Sequence, residues 1–363
     1  MTRIRPIVHC MGAAAVALGL CGASLPAAAQ SPAEFYKDKK VDLLIGYSAG
    51  GGYDVYARTI ARHWGDHIPG KPQIVPRNKP GAGSLLVTNE LFNLSPKDGS
   101  VVGTFARGAP LEALFGNPGA KFDPTKLGWL GSANNEVSVC GIWHTVPLAS
   151  TEDFLTKPIV LGGTGPGADT DLFPMTMNNV LGTKYKLISG YPGGNDINLA
   201  IERGEVQGRC GWSWSSVIST RPNWLKDKLI QIPVQIGLQK HPDLPNVPLV
   251  FDLAKTPRQR QILEVVFSGQ PMGRPYAAPP GLPPERLQLL RDSFMATMKD
   301  PAFLADAEKS KLEIDPVSGE DVQNIVAKTF QTPKDIIEAA KEATTRTDKT
   351  QIEKIKAEPK KKK

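Results

Sequence analysis

The stretch VDLLIGYSAGGGYDVYARTIARHW, residues 41–64, decides the fold. Residues 41–47 make a short apolar run suited to a buried parallel strand. After the glycines, Val55, Tyr56, Thr59, Ile60, Trp64 and Ile68 keep helical spacing. The loop between them has two chemical readings. Gly46-Tyr47-Ser48-Ala49-Gly50 matches G-x-S-x-G, the nucleophile elbow of a serine hydrolase. The same residues form a glycine-rich loop at a helix start, where unpaired N–H groups and the positive dipole end hold anions.

The first reading lacks its supports. A hydrolase elbow follows several strands, and its oxyanion hole draws on an earlier loop. Once an export signal is removed, only residues 30–47 precede Ser48. The remaining histidines, His63, His67, His144 and His241, do not fall late in the chain after an acid, as the Ser…Asp/Glu…His order demands. The export signal is read from Arg3 and Arg5, the apolar residues 13–20 and Ala27-Ala28-Ala29, with cleavage expected between Ala29 and Gln30. A mature chain of 334 residues then suggests two domains.

The net charge of +7 is confined to the ends. Arg3 and Arg5 leave with the signal, and residues 341–363 carry nine Lys or Arg against four Asp or Glu. The body is therefore neutral, which argues against a nucleic-acid footprint. The tail 341–363 reads as a charged, solvated and disordered end. Cys140 and Cys210 are the only cysteines after the signal and read as a disulfide of an oxidising compartment.

Strand–loop–helix units recur. Residues 72–78 and 101–105 read as strands, and LLVTNELFN (residues 85–93) as a helix. A second block repeats the pattern, with strands at 158–163 and 184–191 and helices at 171–181 and 197–203. Two extended runs, 136–145 and 229–237, read as crossings between lobes. The expected fold is α/β, with two lobes that are each a doubly wound open sheet flanked by helices. The expected lobes are 30–139 plus 239–340, and 140–238. The proline-rich run 275–290 reads as a lead into helices.

One internal similarity places an anion loop in each lobe. Gly46-Tyr47 followed by Gly51-Gly52-Tyr53-Asp54 resembles Gly190-Tyr191 followed by Gly193-Gly194-Asn195-Asp196. Asp54 and Asp196 begin their helices and are expected to fix loop shape by capping. Other motifs fall short. Gly163 to Ala168 fits G-x-G-x-x-A, but the acid expected about 20 residues on is replaced by Tyr191 and Pro192. His63 and His67 lack H-E-x-x-H chemistry, so no metal site is expected. Trp212 and Trp214 suit either a ligand-stacking role or the core. Arg107 and Arg209 suit either a bidentate hold on a carboxylate or structural ion pairs.

The chain resembles the substrate-binding proteins of tripartite tricarboxylate transporters, the TctC or Bug receptor family. The resemblance runs from about residue 36 to 340 and rests on LLIGYSAGGGYDVYAR, NKPGAGS, SPKDGSVVGTF, GTGPGADTDLFP, YPGGNDINLAIERGEV and PYAAPPGLPPERL in that order. It implies a two-lobe, type II-like periplasmic-binding-protein fold, and a periplasmic, non-catalytic receptor that binds a small organic carboxylate, uses no cofactor, acts as a monomer and serves large and small membrane transporter subunits. Carried over residue by residue, ligand contacts fall on Tyr47, Ser48, Ala49, Gly50, Gly51, Gly52 and Asp54 of the first lobe, with Ser84 and Arg107. In the second lobe they fall on Thr164, Asp169, Thr170, Tyr191, Gly193, Gly194, Asn195 and Trp212. Thr170-Asp171 departs from the serine-histidine pair common in that family, and an acid there disfavours a nearby carboxylate. A secreted hydrolase using Ser48 and a periplasmic ligand sensor are the alternative readings.

Overall fold

A computed structural model describes residues 31–345 of the chain. The expected export signal and its expected cleavage point, and residues 346–363 of the expected tail, lie outside the described residues. No helix among the described residues is long and apolar enough to cross a membrane.

In chain order the strands are β1 (Lys40–Ile45), β2 (Gln73–Asn78), β3 (Val101–Thr104), β4 (Gly128–Ser132), β5 (Ser138–Trp143), β6 (Val160–Gly163), β7 (Lys186–Ser189), β8 (Gly208–Ser213), β9 (Ile230–Gln231), β10 (Gln235–Ile236), β11 (Pro275–Ala278) and β12 (Val317–Ser318). They form two sheets, ordered β12-β4-β11-β3-β1-β2 and β10-β5-β8-β6-β7, with β9 also on β5. In each sheet a parallel trio (β2-β1-β3 and β7-β6-β8) is extended by antiparallel strands.

Both faces of each sheet are covered, which explains apolar runs in place of alternation. The helix Gly52–Trp64 lays Tyr56, Ile60 and Trp64 on one face of the first sheet, against Phe294 and Phe303. The buried Trp64 indole N–H donates to Ser293 Oγ at 2.9 Å, so its polar tip is satisfied. Leu91, Phe105, Trp129 and Val326 cover the other face. The second sheet packs Phe154, Phe173 and Met177 on one side and Ile197, Ile201 and Trp224 on the other.

Several boundaries differ from the expected ones. Val250, Phe251 and the helix Pro257–Val266, expected in the first lobe, pack in the core of the second sheet. So does the helix Lys334–Thr344, which includes the first residues of the expected disordered tail and buries Ala343. An amphipathic period shows that one helix face is buried, not which sheet buries it. The crossings also move. Residues 136–145 become β5 within the second sheet, and 229–237 give β9 and β10, separated around Pro233, which has no N–H for a ladder. The chain returns to the second lobe between Phe330 and Lys334; its other two crossings lie just before β5 and just before β11. These segments are bonded to each other through Ala133 N–H to Arg274 O (3.1 Å), Gly273 N–H to Asn134 O (2.9 Å) and Glu136 N–H to Gln270 O (3.0 Å).

Cys140 and Cys210 form a disulfide that ties β5 to β8. The bond closes a sequence separation of 70 residues, for which the chain-entropy model gives about 4 kcal/mol. Replacing both cysteines by alanine is expected to lower unfolding free energy by roughly 2–4 kcal/mol, read by urea denaturation. A change below about 0.5 kcal/mol in that measurement contradicts the assignment of stability to this link.

Candidate functional site

The carboxyl ends of the parallel strands in both sheets open onto one cleft, as expected of open α/β sheets. Its lining includes Tyr47, Gly51, Gly52, Tyr53 and Arg107 from the first lobe. The second lobe contributes Thr164, Asp169, Thr170, Gly194, Asn195, Arg209 and Trp212. Ser213, Ser216 and Arg274 close its base, around a cavity of about 50 Å³.

Two helices begin at this cleft in matching ways. The helix Gly52–Trp64 has Gly51 as its N-cap, and Gly194–Glu202 has Gly193. Neither start is capped by a side chain, so N–H groups at the positive dipole ends remain available to an anion. Each aspartate holds a loop rather than a helix cap. Asp54 Oδ2 accepts from Gly50 N–H at 2.9 Å, curling its own loop. Asp196 Oδ2 accepts from the Ser48 hydroxyl at 2.5 Å, a bond from one lobe to the other. With Ser48 N–H to Pro192 O (3.3 Å) and Gly83 N–H to Thr164 O (3.1 Å), it holds the lobes closed.

These bonds sort the expected contacts. Tyr47, Gly51, Gly52, Arg107, Thr164, Asp169, Thr170, Gly194, Asn195 and Trp212 meet in the cleft. Ser48, Ala49, Gly50, Asp54, Ser84, Tyr191 and Gly193 are not in its lining. Ser84 Oγ instead accepts from Ala106 N–H at 2.7 Å and so positions the loop that carries Arg107. Tyr191 lies on a neighbouring surface, its hydroxyl 3.5 Å from Glu205. The second loop is shorter than the first, so the two tyrosines are not structural equivalents. Asp171 is committed to Gly165 N–H (2.8 Å) and to the Ser189 hydroxyl, and is not in the cleft lining. Sequence reasoning missed Tyr53, Asn198, Ser216 and Arg274.

The two arginines singled out in the sequence part company here. Arg107 is a structural ion pair: it contacts Asp169 directly and donates to Ser138 Oγ (2.8 Å) and Gly273 O (3.1 Å). Burial lifts the Asp169 carboxyl while Arg107 pulls it back; burial is also the largest influence on Arg107 and opposes its charge, but Asp169, Tyr53 and Glu136 together outweigh it and leave Arg107 above its ordinary value. Arg209 is only 7% exposed and, among the described residues, forms no ion pair with an acid. It donates to Gly194 O (2.7 Å) and Asn198 Oδ1 (3.2 Å), lies 4.7 Å from the Trp212 ring centre, and leaves Nε unpaired. Only a glycine lets it sit there, because a Cβ on residue 194 would lie 2.5 Å from Nη1. Burial lowers Arg209 to about 9, Tyr47 opposes that fall, and Arg221 and Arg274 add to it; the group is still a cation at neutral pH.

Other polar clusters are self-contained. His63 pairs with Asp306 and His67 with Asp300, each at 2.9 Å, fastening the first-lobe helices. His241, Asp243 and Glu313 bring ligand-type atoms within 4.8 Å of one another, with His241 Nε2 3.2 Å from Glu313 Oε1. Burial, then Glu136 and Asp243, pushes Glu313 up to about 7. Among the described residues no histidine hydrogen-bonds Ser48, so the nucleophile–base pair of the hydrolase reading is not assembled.

No protein-family model matches the chain. It is 26% identical over 344 residues to "UPF0065 protein in gbd 5'region" of Cupriavidus necator, covering 90% of this chain and 94% of that one. Among solved structures it is similar to the periplasmic binding protein BugD, at TM-score 0.67 and 19% identity over 85% of this chain and 98% of that one. MatC from Rhodopseudomonas palustris with bound malate gives TM-score 0.64 and 15% identity over 85% and 99%. An R. palustris protein with adipate gives TM-score 0.65 and 16% identity over 83% and 97%. The chain thus has the two-lobed α/β fold of periplasmic binding proteins, with type II topology.

Proposed function

We propose that the protein is a periplasmic solute receptor that closes its two lobes on a small organic carboxylate and delivers it to a tripartite tricarboxylate-type membrane transporter, without chemistry of its own. The observation that carries this reading is Arg209, a buried cation with no acidic partner among the described residues, set against two helix starts that no side chain caps. An unpaired buried charge is costly, and a carboxylate that accepts from it removes the cost. Relatives of the same fold with malate and adipate support an organic acid as the ligand class.

Thermal denaturation of the mature protein against a panel of organic acids, followed by calorimetry, tests the proposal. A ligand at 100 times its dissociation constant adds about 2.7 kcal/mol to stability and shifts the melt visibly. Ser48→Ala is expected to weaken binding by roughly fivefold, the worth of one part-exposed interlobe hydrogen bond. Turnover of ester substrates that Ser48→Ala abolishes, with no acid shifting the melt, rejects the receptor reading.

A further inference from the structure

We infer that the cleft is matched to a monoanion: its ligand is a short monocarboxylate anchored on Arg209, and Asp169 acts as the residue that refuses a second carboxylate. This inference rests on the receptor reading above and specifies its ligand.

Three guanidinium groups line the cleft, from Arg107, Arg209 and Arg274. Two already have an acid. Arg107 contacts Asp169, and both are nearly inaccessible to solvent. Arg274 lies 3.6 Å from Glu136, both fully buried, and its donors are also taken by Ser213 (2.9 Å) and Ser216 (2.7 Å). Arg221, just outside, bonds Asn195 Oδ1 at 2.7 Å and lies 3.9 Å from Glu202. One unbalanced positive charge is left, on Arg209. A first carboxylate neutralises it.

A second carboxylate finds no free cation. To reach Arg107 it must displace Asp169, which then remains buried as an uncompensated charge beside a second anion. That arrangement is strongly unfavourable. The non-ionic part of the ligand meets Trp212, Tyr47, Tyr53 and Ala168, which are apolar or neutral. Burial keeps the phenols of Tyr47 and Tyr53 well away from ionisation. The cavity of about 50 Å³ corresponds to only a few water-sized positions, so the chain of the acid is short.

The test pairs acids of equal carbon count: propionate against malonate, butyrate against succinate, and 2-hydroxybutyrate against malate, by calorimetry on the mature protein. The expected result is that the best monocarboxylate binds at least about 100-fold more tightly than its dicarboxylate partner. Asp169→Asn keeps the side-chain volume and an acceptor for Arg107, and removes the opposing charge. It is expected to narrow the mono-to-di ratio by tenfold or more. Replacing both partners (Arg107→Gln with Asp169→Asn) keeps the net charge and should retain the wild-type ratio. A dicarboxylate or a zwitterionic amino acid that binds the wild-type protein more tightly than every monocarboxylate overturns the inference while leaving the receptor reading intact. An unchanged ratio in folded Asp169→Asn also overturns it. If no acid of either class binds, the receptor reading itself fails. The wild-type comparison stands whether or not the variants fold.

Discussion

Arg209→Met is expected to cost at least about 100-fold in carboxylate affinity while leaving the unliganded melt almost unchanged. The affinity loss follows from removing a desolvated, charge-assisted partner, worth roughly 2–5 kcal/mol when its counterpart is left buried. The stability of the free protein is set by two opposing terms. Methionine relieves the desolvation of an unpaired cation, yet it abandons Gly194 O and Asn198 Oδ1, which Arg209 now satisfies. Each term is on the order of 1–3 kcal/mol, so they nearly cancel. Arg209→Lys separates charge from shape. It keeps a point charge on Trp212 but loses the planar fork, and it should retain part of the affinity that methionine loses. Calorimetry and thermal melts on the same three proteins read both quantities. If Arg209→Met binds the acid within a few-fold of wild type, Arg209 is a structural residue and the anion is held elsewhere.

The sequence made Arg209 visible but could not set it apart from Arg107. Both are arginines just beyond or inside a strand of an α/β unit, and local pattern treats them alike. What distinguishes them is Asp169, which lies 62 positions from Arg107 and meets it only because the lobes fold over each other. The strand–glycine–helix units, by contrast, are local, so the helix at residues 85–93 and the helices that follow the two glycine loops were legible from spacing alone, although the second begins at Gly194, ahead of the expected 197. β11 was not. Its four residues, Pro-Tyr-Ala-Ala, contain no β-branched side chain and begin with a proline, tolerated because it is the first residue of the strand. Its place between β4 and β3 comes from pairing with strands far away in sequence. Arg274 immediately precedes it, in the second crossing, and was hidden with it.

Gly83→Ala is expected to abolish ligand-driven closure, with affinity falling by about 100-fold or more, although neither lobe is disrupted. Gly83 lies between β2 and the helix Leu85–Asn93 at φ 62° and ψ 35°. A Cβ there would lie 2.2 Å from Pro166 O and 2.7 Å from Gly165 O, both across the cleft. The obstruction is backbone against side chain, so no rotamer relieves it; the lobes must part. Their separation also breaks Gly83 N–H to Thr164 O and strains the neighbouring Ser48–Asp196 bond. A ligand can drive closure only by its differential affinity for the closed state, and a steric penalty on that state subtracts directly from it. Alanine at positive φ also carries a backbone cost of roughly 1–2 kcal/mol that has nothing to do with closure. Gly116→Ala isolates that cost, because Gly116 has φ 71° and nothing within 4 Å of an added Cβ. Both variants should therefore melt slightly below wild type, while only Gly83→Ala loses binding and the ligand-induced fall in radius of gyration by solution scattering. If the two variants bind alike, closure of these loops is not part of recognition, and the cradle must act with the lobes open.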